Sequence, residues 1–515
     1  MKSIRRAILS VTDKRGIVAL AQGLHGLGIE LLSTGGTEAV IRDAGIPVRS
    51  VADVTGMPEM LGGRVKTLHP KILGGVLARR ERDDDRADLE THQLSPIDLV
   101  VVNLYAFEQT TAREGTTLEQ AIENIDIGGP TMIRSAAKNW AHVGVVTDPD
   151  DYPRILEELQ AGQGLSRETR LALAQKAFAR TAAYDSAIAH YLCTPAQSEP
   201  FPPRLTLSFE RVQALRYGEN PHQTAAFYRD PRWKEGSSLA DVFQHGGKEL
   251  SYNNLLDLDA AFRIVVDLED AAAVIIKHGN PAGASSGHAS LRTAFDRALA
   301  GDTLSAFGGV IGLSRIVDLS TAEAIAPHFF EVVLAPGYEP EALELLTRKK
   351  NLRVLSLPGM SATTGKSWDL RRISGGLLVQ TWDRELAQNW KVATRRAPTE
   401  QEWKTLRFAW TLCEHVKSNA IVFAQPGELV GAGAGQMSRV DSVHLAARKA
   451  GERARGAVMA SDAFFPFPDG VLAAVEAGIT AVIQPGGSIK DADVLAAADE
   501  AGITMILTGI RHFKH

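Results

Sequence analysis

The chain has 515 residues, too many for one hydrophobic core, so two or more domains are expected. Its 44% hydrophobic and 23% charged content is that of an ordinary globular protein, and a net charge of −5 gives no basis for a nucleic-acid-binding surface, which needs a clustered basic excess. The two cysteines, Cys193 and Cys413, lie far apart and supply neither a disulfide framework nor a metal-ligand pair; with an apolar N-terminal run too short for a signal peptide and no stretch near the ~18 apolar residues of a membrane helix, a cytoplasmic protein is expected.

"AILSV" (7–11) predicts a first strand, followed by an amphipathic helix carrying Ile17, Leu20, Ala21 and Leu24. "IELLST" (29–34) predicts a second strand that runs into Gly35 and Gly36, with a helical segment from Thr37. "DLVVVNLY" (98–105) and "VGVVTD" (143–148) are near-continuous apolar strands. Continuous apolar strands alternating with helices imply a parallel sheet covered on both faces. A long helix is expected over roughly 168–191, with Ser166 as its N-cap.

Polar groups gather at the ends of these strands. "SVTDKRG" places Ser10, Thr12 and Lys14 after the first, and "STGGT" places Thr34, Gly35, Gly36 and Thr37 after the second. Ligands of open α/β sheets bind outside the carboxyl ends of the strands, and a glycine turn at a helix N-terminus suits an anion such as phosphate. The same residues also fit an ordinary tight turn with a threonine cap. "GGRVKTLHPKILGG" (62–75) sets Arg64, Lys66, His69 and Lys71 between glycine pairs, without a helical period. "NLYAF" (103–107) ends a buried strand. In "IDIGGPTMIRSAAKNW" (125–140), Asp126 precedes a glycine pair, Pro130 can start a helix, and Arg134 and Lys138 lie one turn apart.

The four prolines of "CTPAQSEPFPPR" (193–204) end regular structure, and a domain boundary is placed there, dividing 1–198 from 199–515. Beyond it the pattern is again mixed α/β, with strands expected in "AAVII" (272–276), "FEVVLAP" (330–336), "AIVFA" (420–424), "GAVMASDAFF" (456–465), "AVIQPGG" (481–487) and "TMILTG" (504–509). "LSAFGGV" (304–310) and "SDAFFPF" (461–467) echo one another as a possible mark of duplication. In "AVIIKHGNPAGASSG" (273–287) a buried strand delivers Lys277 and His278, a cation and a proton shuttle, into a turn. Other polar chain breaks are "LRYGENPHQ" (215–223), "HVKSNAIVFA" (415–424), "GAGAGQMSR" (431–439) and the final "IRHFKH". Each alone reads equally as a surface turn. Together they point to an α/β enzyme binding anionic, phosphorylated small molecules at two places, and they do not name the reaction.

The motifs "RVKTLHP", "NLYAF", "IDIGG…R.AAKN", "LRYGENPHQ", "KHGNPAG", "LAPGY", "KSNAI", "GAGQMSR", "SDAFFPF" and "RHF", with the "SVTDKRG" turn, run in order from Ser10 to Phe513. In that order they resemble the bifunctional AICAR transformylase/IMP cyclohydrolase family of purine biosynthesis. The resemblance implies a methylglyoxal-synthase-like parallel-sheet domain at the N-terminus and a duplicated cytidine-deaminase-like α/β region after it. It implies formyl transfer from 10-formyltetrahydrofolate to the 5-amino group of AICAR, then dehydrative closure of formyl-AICAR to IMP. A homodimer with transformylase sites across its interface, acting on small-molecule substrates alone, is implied with it; no thiolate cluster or histidine pair is spaced as a zinc site requires, so no catalytic metal is expected.

By that resemblance Lys277, His278 and Asn419 carry formyl transfer. The conjugated amine is a poor nucleophile that must lose its proton during attack, which suits His278. Lys277 and Asn419 suit the oxyanion that forms. Arg216, Tyr217, Arg439, Arg511 and Phe513 are assigned to the nucleotide, and Asn254, Glu331, Gln436, Phe464 and Pro466 to the shared site, Glu331 standing where some relatives have aspartate. For ring closure the assignment is Lys66, Tyr105, Asp126 and Lys138. Ser10, Lys14, Thr34, Gly35, Gly36 and Thr37 are assigned to phosphate, and Arg64, Thr67, Asn103 and Gly128 to substrate binding. Ala106 stands where the family usually has proline. A zinc nucleobase deaminase would need H-x-E and P-C-x-x-C, and the chain has neither.

Overall fold

In the first part of the chain, short apolar runs form β1 (Arg6–Ser10), β2 (Glu30–Ser33), β3 (Arg49–Ser50), β4 (Leu99–Val102) and β5 (Gly144–Val146), in the sheet order β3-β2-β1-β4-β5. Every pairing is parallel, and Ile8 faces Leu32 on one side and Val100 on the other. Ala7 to Leu9 and Leu99 to Val102 are buried on both faces, as the sequence pattern anticipates. The chain builds outward from β1 through β3 and then returns to lay β4 on the other side. That reversal opens a crevice at the carboxyl ends of β1 and β4. The long helix runs Arg167–Cys193, and Ser166 Oγ accepts the Thr169 N–H at 3.0 Å, the cap expected there. This is a computed structural model, and it describes residues 4–105, 107–162, 164–193, 201–233, 236–362, 367–384 and 390–515. Ala106 and residues 194–200 of the proline-rich stretch therefore lie outside the described residues.

The chain divides into two compact units, Met1–Ser208 and Phe209–His515. The second contains β6 (Glu210–Leu215) paired with β7 (Ala225–Arg229), then β8 (Phe243–Gly246), β9 (Ala273–Lys277), β10 (Asn280–Ser285), β11 (Val310–Leu313), β12 (Val332–Ala335) and β13 (Arg353–Ser356). The hairpin β14 (Trp368–Ile373) and β15 (Gly376–Thr381) follows, then β16 (Lys391–Val392), β17 (Ile421–Gln425), β18 (Glu428–Gly433), β19 (Val458–Ser461), β20 (Ala481–Gln484) and β21 (Thr504–Leu507). One twelve-stranded sheet takes the order β16-β21-β20-β19-β17-β18-β10-β9-β11-β12-β13-β8.

That order is palindromic about the antiparallel β10–β18 pair, which makes the unit a duplicated six-stranded fold. In each half a hairpin pairs antiparallel to the next strand, two parallel pairings follow, and an antiparallel edge strand closes the sheet. The halves are displaced by 148 residues: 273 becomes 421, 280 becomes 428 and 310 becomes 458. Gly283 and Gly431 occupy matching places, where an added Cβ would lie 1.8 Å from Ala298 O and 2.3 Å from Ala446 O. The duplication is therefore real, but the Ser-x-x-Phe echo does not mark it. "LSAFGGV" leads into β11 and "SDAFFPF" leaves β19, so the two motifs sit at opposite ends of equivalent strands.

Candidate functional sites

A cleft of about 740 Å³ opens at the carboxyl ends of β1, β2 and β4. It is lined by Ser10, Lys14, Thr34, Gly35, Gly36, Thr37, Arg64, Lys66, Thr67, Asn103, Tyr105, Asp126 and Gly128, residues scattered over more than a hundred positions of sequence. Helix Gly35–Asp43 begins in it with no side-chain cap on Thr34, leaving its first N–H groups free for an anion. Thr37 does not cap the helix. Its Oγ1 accepts the Val11 N–H at 3.0 Å, donates to Val11 O at 2.9 Å, and so ties the helix to the end of β1. Lys14 Nζ donates to Thr37 Oγ1 at 2.9 Å, and burial holds its pKa below the ordinary lysine value. Asn103 Oδ1 accepts the N–H groups of Thr12 and Asp13, which clamps the turn carrying Lys14.

On the opposite wall, Lys66 Nζ pairs with Glu59 at 3.1 Å and lies 3.6 Å from where a Gly35 Cβ would stand. Arg64 is paired with Glu123. The Asp126 carboxylate accepts the Gly129 N–H at 2.8 Å, and the Asp126 N–H donates to the Tyr184 hydroxyl at 2.8 Å. Burial pushes the Asp126 pKa up, against backbone hydrogen bonds from Gly129, Tyr105 and Gly128 that pull it down. A Cβ at Gly129 would lie 2.4 Å from Asp126 Oδ2, so that position has no room for a side chain.

Lys138 is the exception among the residues expected here. It ends helix Gly128–Lys138, whose first residues line the cleft, and it is exposed. Ten helical steps carry it about 15 Å along the axis. The structure does not bring it into this cleft.

In the second unit, His278 is exposed at the β9–β10 turn with a left-handed φ of 53°, followed by Gly279 at 72°. The Gly279 N–H donates to Asp257 Oδ1 at 2.6 Å. Lys277 Nζ donates to Phe307 O at 3.0 Å and Gly308 O at 3.1 Å. Glu331 N–H donates to Gly309 O at 2.9 Å, which sets Glu331 beside that carbonyl cradle, and its carboxylate pairs with Arg353 at 2.5 Å. Asn280 Oδ1 accepts the Lys417 N–H at 3.2 Å, linking the turn to the segment before β17.

Asn419 follows in that segment. Its Nδ2 donates to Gln436 O at 2.8 Å and its Oδ1 accepts from Arg439 at 2.8 Å. Arg439 is buried, at 6% side-chain exposure, and pairs with Asp462, which is 0% exposed. The geometry therefore makes Arg439 a holder of Asn419 rather than a free cation. Asn254 is likewise engaged, closing a capping box with Ser251 at the start of helix Tyr252–Asp267. Phe464 and Pro466 are exposed just beyond Asp462, and Arg511 lies over the Phe513 ring at 4.4 Å. Arg216 lies 5.7 Å over the Tyr217 ring, in a loop held to that same helix by the Asn253 Nδ2 bond to Glu219 O. Among the described residues, no hydrogen bond ties Arg216 or Tyr217 to the Lys277–His278 turn.

Sequence reasoning missed Glu59, Tyr184, Asp257 and Asp462, the groups that orient the expected ones. Asp257 sits 22 positions from Gly279 on an ordinary amphipathic helix, so no local spacing singles it out. Asp462 had a signal in its place at the end of an apolar strand, inside the "SDAFFPF" motif itself.

The family profile described as "AICARFT/IMPCHase bienzyme" matches residues 136–449, and that of an "MGS-like domain" matches residues 16–131. A relative from Sorangium cellulosum (strain So ce56), named "Bifunctional purine biosynthesis protein PurH", is 53% identical over 524 residues, covering 99% of this chain and 100% of its own. A protein of the same name from Myxococcus xanthus (strain DK1622) is 52% identical over 515 residues, with 99% and 100% covered. A solved structure described as "Crystal structure of ForH" aligns 37% of this chain with 100% of its own at 44% identity and a TM-score of 0.34. The profile match over more than half of the chain and the full-length relatives show the family: this chain belongs to the AICARFT/IMPCHase bienzyme family, with an MGS-like N-terminal domain.

Proposed function

We propose that the cleft of the first unit performs ring closure and the Lys277–His278 turn of the second performs formyl transfer. The chain is a bifunctional AICAR formyltransferase and IMP cyclohydrolase of purine biosynthesis, with a folate as co-substrate. Our assignment of each reaction to its site, of 10-formyltetrahydrofolate as the formyl donor, and of 1–198 and 199–515 as the functional domains is the further step. The observation that carries it is the convergence of uncapped helix, Lys14, Lys66 and Asp126 in one cleft lined by residues of the first unit, while Lys277 and His278 belong to the second.

In the cleft, the nucleotide phosphate lies on the N–H groups of Gly35, Gly36 and Thr37 beside Lys14 and Ser10. The carboxamide nitrogen of formyl-AICAR attacks the formyl carbon and a C–N bond forms. Lys66 and the Tyr105 hydroxyl donate to the oxygen as it gains charge, and Asp126 moves the proton from nitrogen. The tetrahedral carbon then expels water. At the second site His278 takes the proton of the 5-amino group as it attacks the formyl carbon of the folate. Lys277 and the second Asn419 N–H stabilise the tetrahedral oxyanion before the folate nitrogen leaves.

Phe307, whose carbonyl oxygen accepts from Lys277, is 67% exposed, and Leu304 on the same short helical segment is 88% exposed. Such apolar exposure around a polar site is what a second copy would cover, which supports a homodimer that completes the site. A cytoplasmic location fits Cys193 and Cys413 as free thiols, and no helix among the described residues is long and apolar enough to cross a membrane.

The test separates the reactions. His278→Ala should lower formyl transfer by about 100-fold or more while supplied formyl-AICAR still cyclises. Lys66→Ala should do the reverse, and formyl-AICAR should accumulate from AICAR. If either variant, folded, loses both half-reactions together, the assignment fails.

A further inference from the structure

The duplication places a second pocket where symmetry repeats the Lys277–His278 turn. The displacement of 148 residues carries Lys277, His278 and Gly279 onto Gln425, Pro426 and Gly427, and carries His288 onto Gln436. The backbone agrees: Asn419 N–H donates to Gln436 O at 3.2 Å, and Ala271 N–H donates to His288 O at 3.5 Å. Around Pro426, Gly427 and His288 lies a pocket of about 830 Å³. The pair that would carry a charge and a proton is gone, since glutamine is neutral and proline has no titratable group. The place persists without the chemistry.

Its lining is built to bind. Trp403, Arg407, Trp410 and Glu414 follow at helical spacing along and just past helix Glu400–Cys413, so they share one face, and all line the pocket. Trp390 stands across from them, 6.0 Å from the Trp403 ring centroid at an interplanar angle of 17°. The Arg407 guanidinium lies 5.3 Å over the Trp390 ring and has no carboxylate partner among the described residues. Lys404 stands beside it at the mouth, paired with Glu400 at 2.9 Å. At the other end, Glu414 is mostly buried, 3.4 Å from His512 Nε2. Burial, opposed by the charge of His512, raises the Glu414 pKa to about 7, so a ligand that donates hydrogen bonds to its ionised form relieves that cost.

We propose that this pocket is a second, non-catalytic binding site for a flat 2-amino-oxo fused heterocycle with an acidic tail. The ring stacks on the tryptophans, its adjacent N–H donors meet the Glu414 carboxylate, and the tail meets Arg407 and Lys404. A pteroylglutamate and a guanine nucleotide both have this chemistry. The inference rests on the proposed function only in taking the Lys277–His278 turn as the formyl-transfer site.

The experiment is calorimetric titration of the full chain, with AICAR and IMP in excess to occupy the nucleotide sites. Folic acid is the probe in one arm and guanosine 5′-monophosphate in the other. A second equivalent of folic acid per chain assigns the pocket to folates, and one equivalent of the guanine nucleotide assigns it to nucleotides. Either should weaken by about tenfold or more in both Trp403→Ala and Glu414→Gln. Should the alanine variant fail to fold, the glutamine variant alone decides. One folic acid equivalent untouched by the variants, with no binding of the guanine nucleotide, overturns the second site and leaves the formyl-transfer site standing. No folic acid binding at all counts against the formyl-transfer site, and the guanine-nucleotide arm then decides the pocket by itself.

Discussion

Replacing Asp257 with alanine should slow formyl transfer although the residue need not touch either substrate. The carboxylate accepts the Gly279 N–H at 2.6 Å and so closes the turn that presents His278. His278 is held at a φ of 53°, a conformation that costs a non-glycine residue about 1–2 kcal/mol and persists only where its surroundings impose it. A hydrogen bond to a charged acceptor contributes about 1.5–3 kcal/mol. At about 1.4 kcal/mol per tenfold, losing it as turn organisation predicts a fall of about 10- to 150-fold in kcat. The Michaelis constant for AICAR should change little, because the anchor acts on the base and not on the nucleotide. Asp257→Asn keeps an oxygen acceptor and should recover most of the rate. Gly279→Ala is the independent check on the same turn: a Cβ there meets nothing within 4 Å, so its cost comes from the φ of 72° alone. Steady-state formyl transfer gives the rates, and cyclisation of supplied formyl-AICAR reports that the chain is folded. An Asp257→Ala protein within twofold of the wild-type rate, or one that loses both reactions equally, would refute the reasoning.

Gly129→Ala puts a methyl 2.4 Å from Asp126 Oδ2 and 3.0 Å from Leu104 Cδ2, and overpacking of this kind costs about 1–3 kcal/mol, so cyclisation should fall about 5- to 150-fold in assays that begin from formyl-AICAR. An unchanged cyclisation rate would mean that the Asp126 geometry is not critical. The Glu414 carboxyl near pH 7, against a reference of 4.5, means the folded chain holds an extra proton across that window, so stability falls as pH rises from about 4.5 to 7, by about 3 kcal/mol at most. Urea unfolding of Glu414→Gln and wild type should show the variant gaining relative stability over that interval; a pH-independent difference would count against the shift. Dilution of the protein through its dissociation range should reduce formyl transfer per chain while cyclisation persists, and constant formyl transfer in demonstrably monomeric protein would refute the shared site.

The α/β class, four of the five strands of the first unit and the strand-end positions of Lys14, Lys277 and His278 were legible in the sequence, as was the setting of Lys66 and Asp126 beside glycine pairs, because burial imposes a period on the residues and a glycine turn marks where regular structure stops. The partner each side chain finds across the fold was not. Thr37 fits a helix cap by local rules, yet its hydroxyl bridges to Val11 because the parallel pairing of β1 and β2 brings the two together. Arg439 reads as a nucleotide ligand, yet Asp462 from the end of β19 neutralises it in the interior. Lys138 shares a motif with Asp126, yet a straight helix sets them apart, since proximity in sequence becomes distance at 1.5 Å per residue. The duplication shows the same division: the halves share a topology and a displacement of 148 residues, while the echoed motif points to the wrong positions. Local sequence encodes burial and backbone geometry, which are properties of a few neighbouring residues. Contacts between strands and helices distant in the chain depend on sheet order and register, and those emerge only when the whole core has assembled.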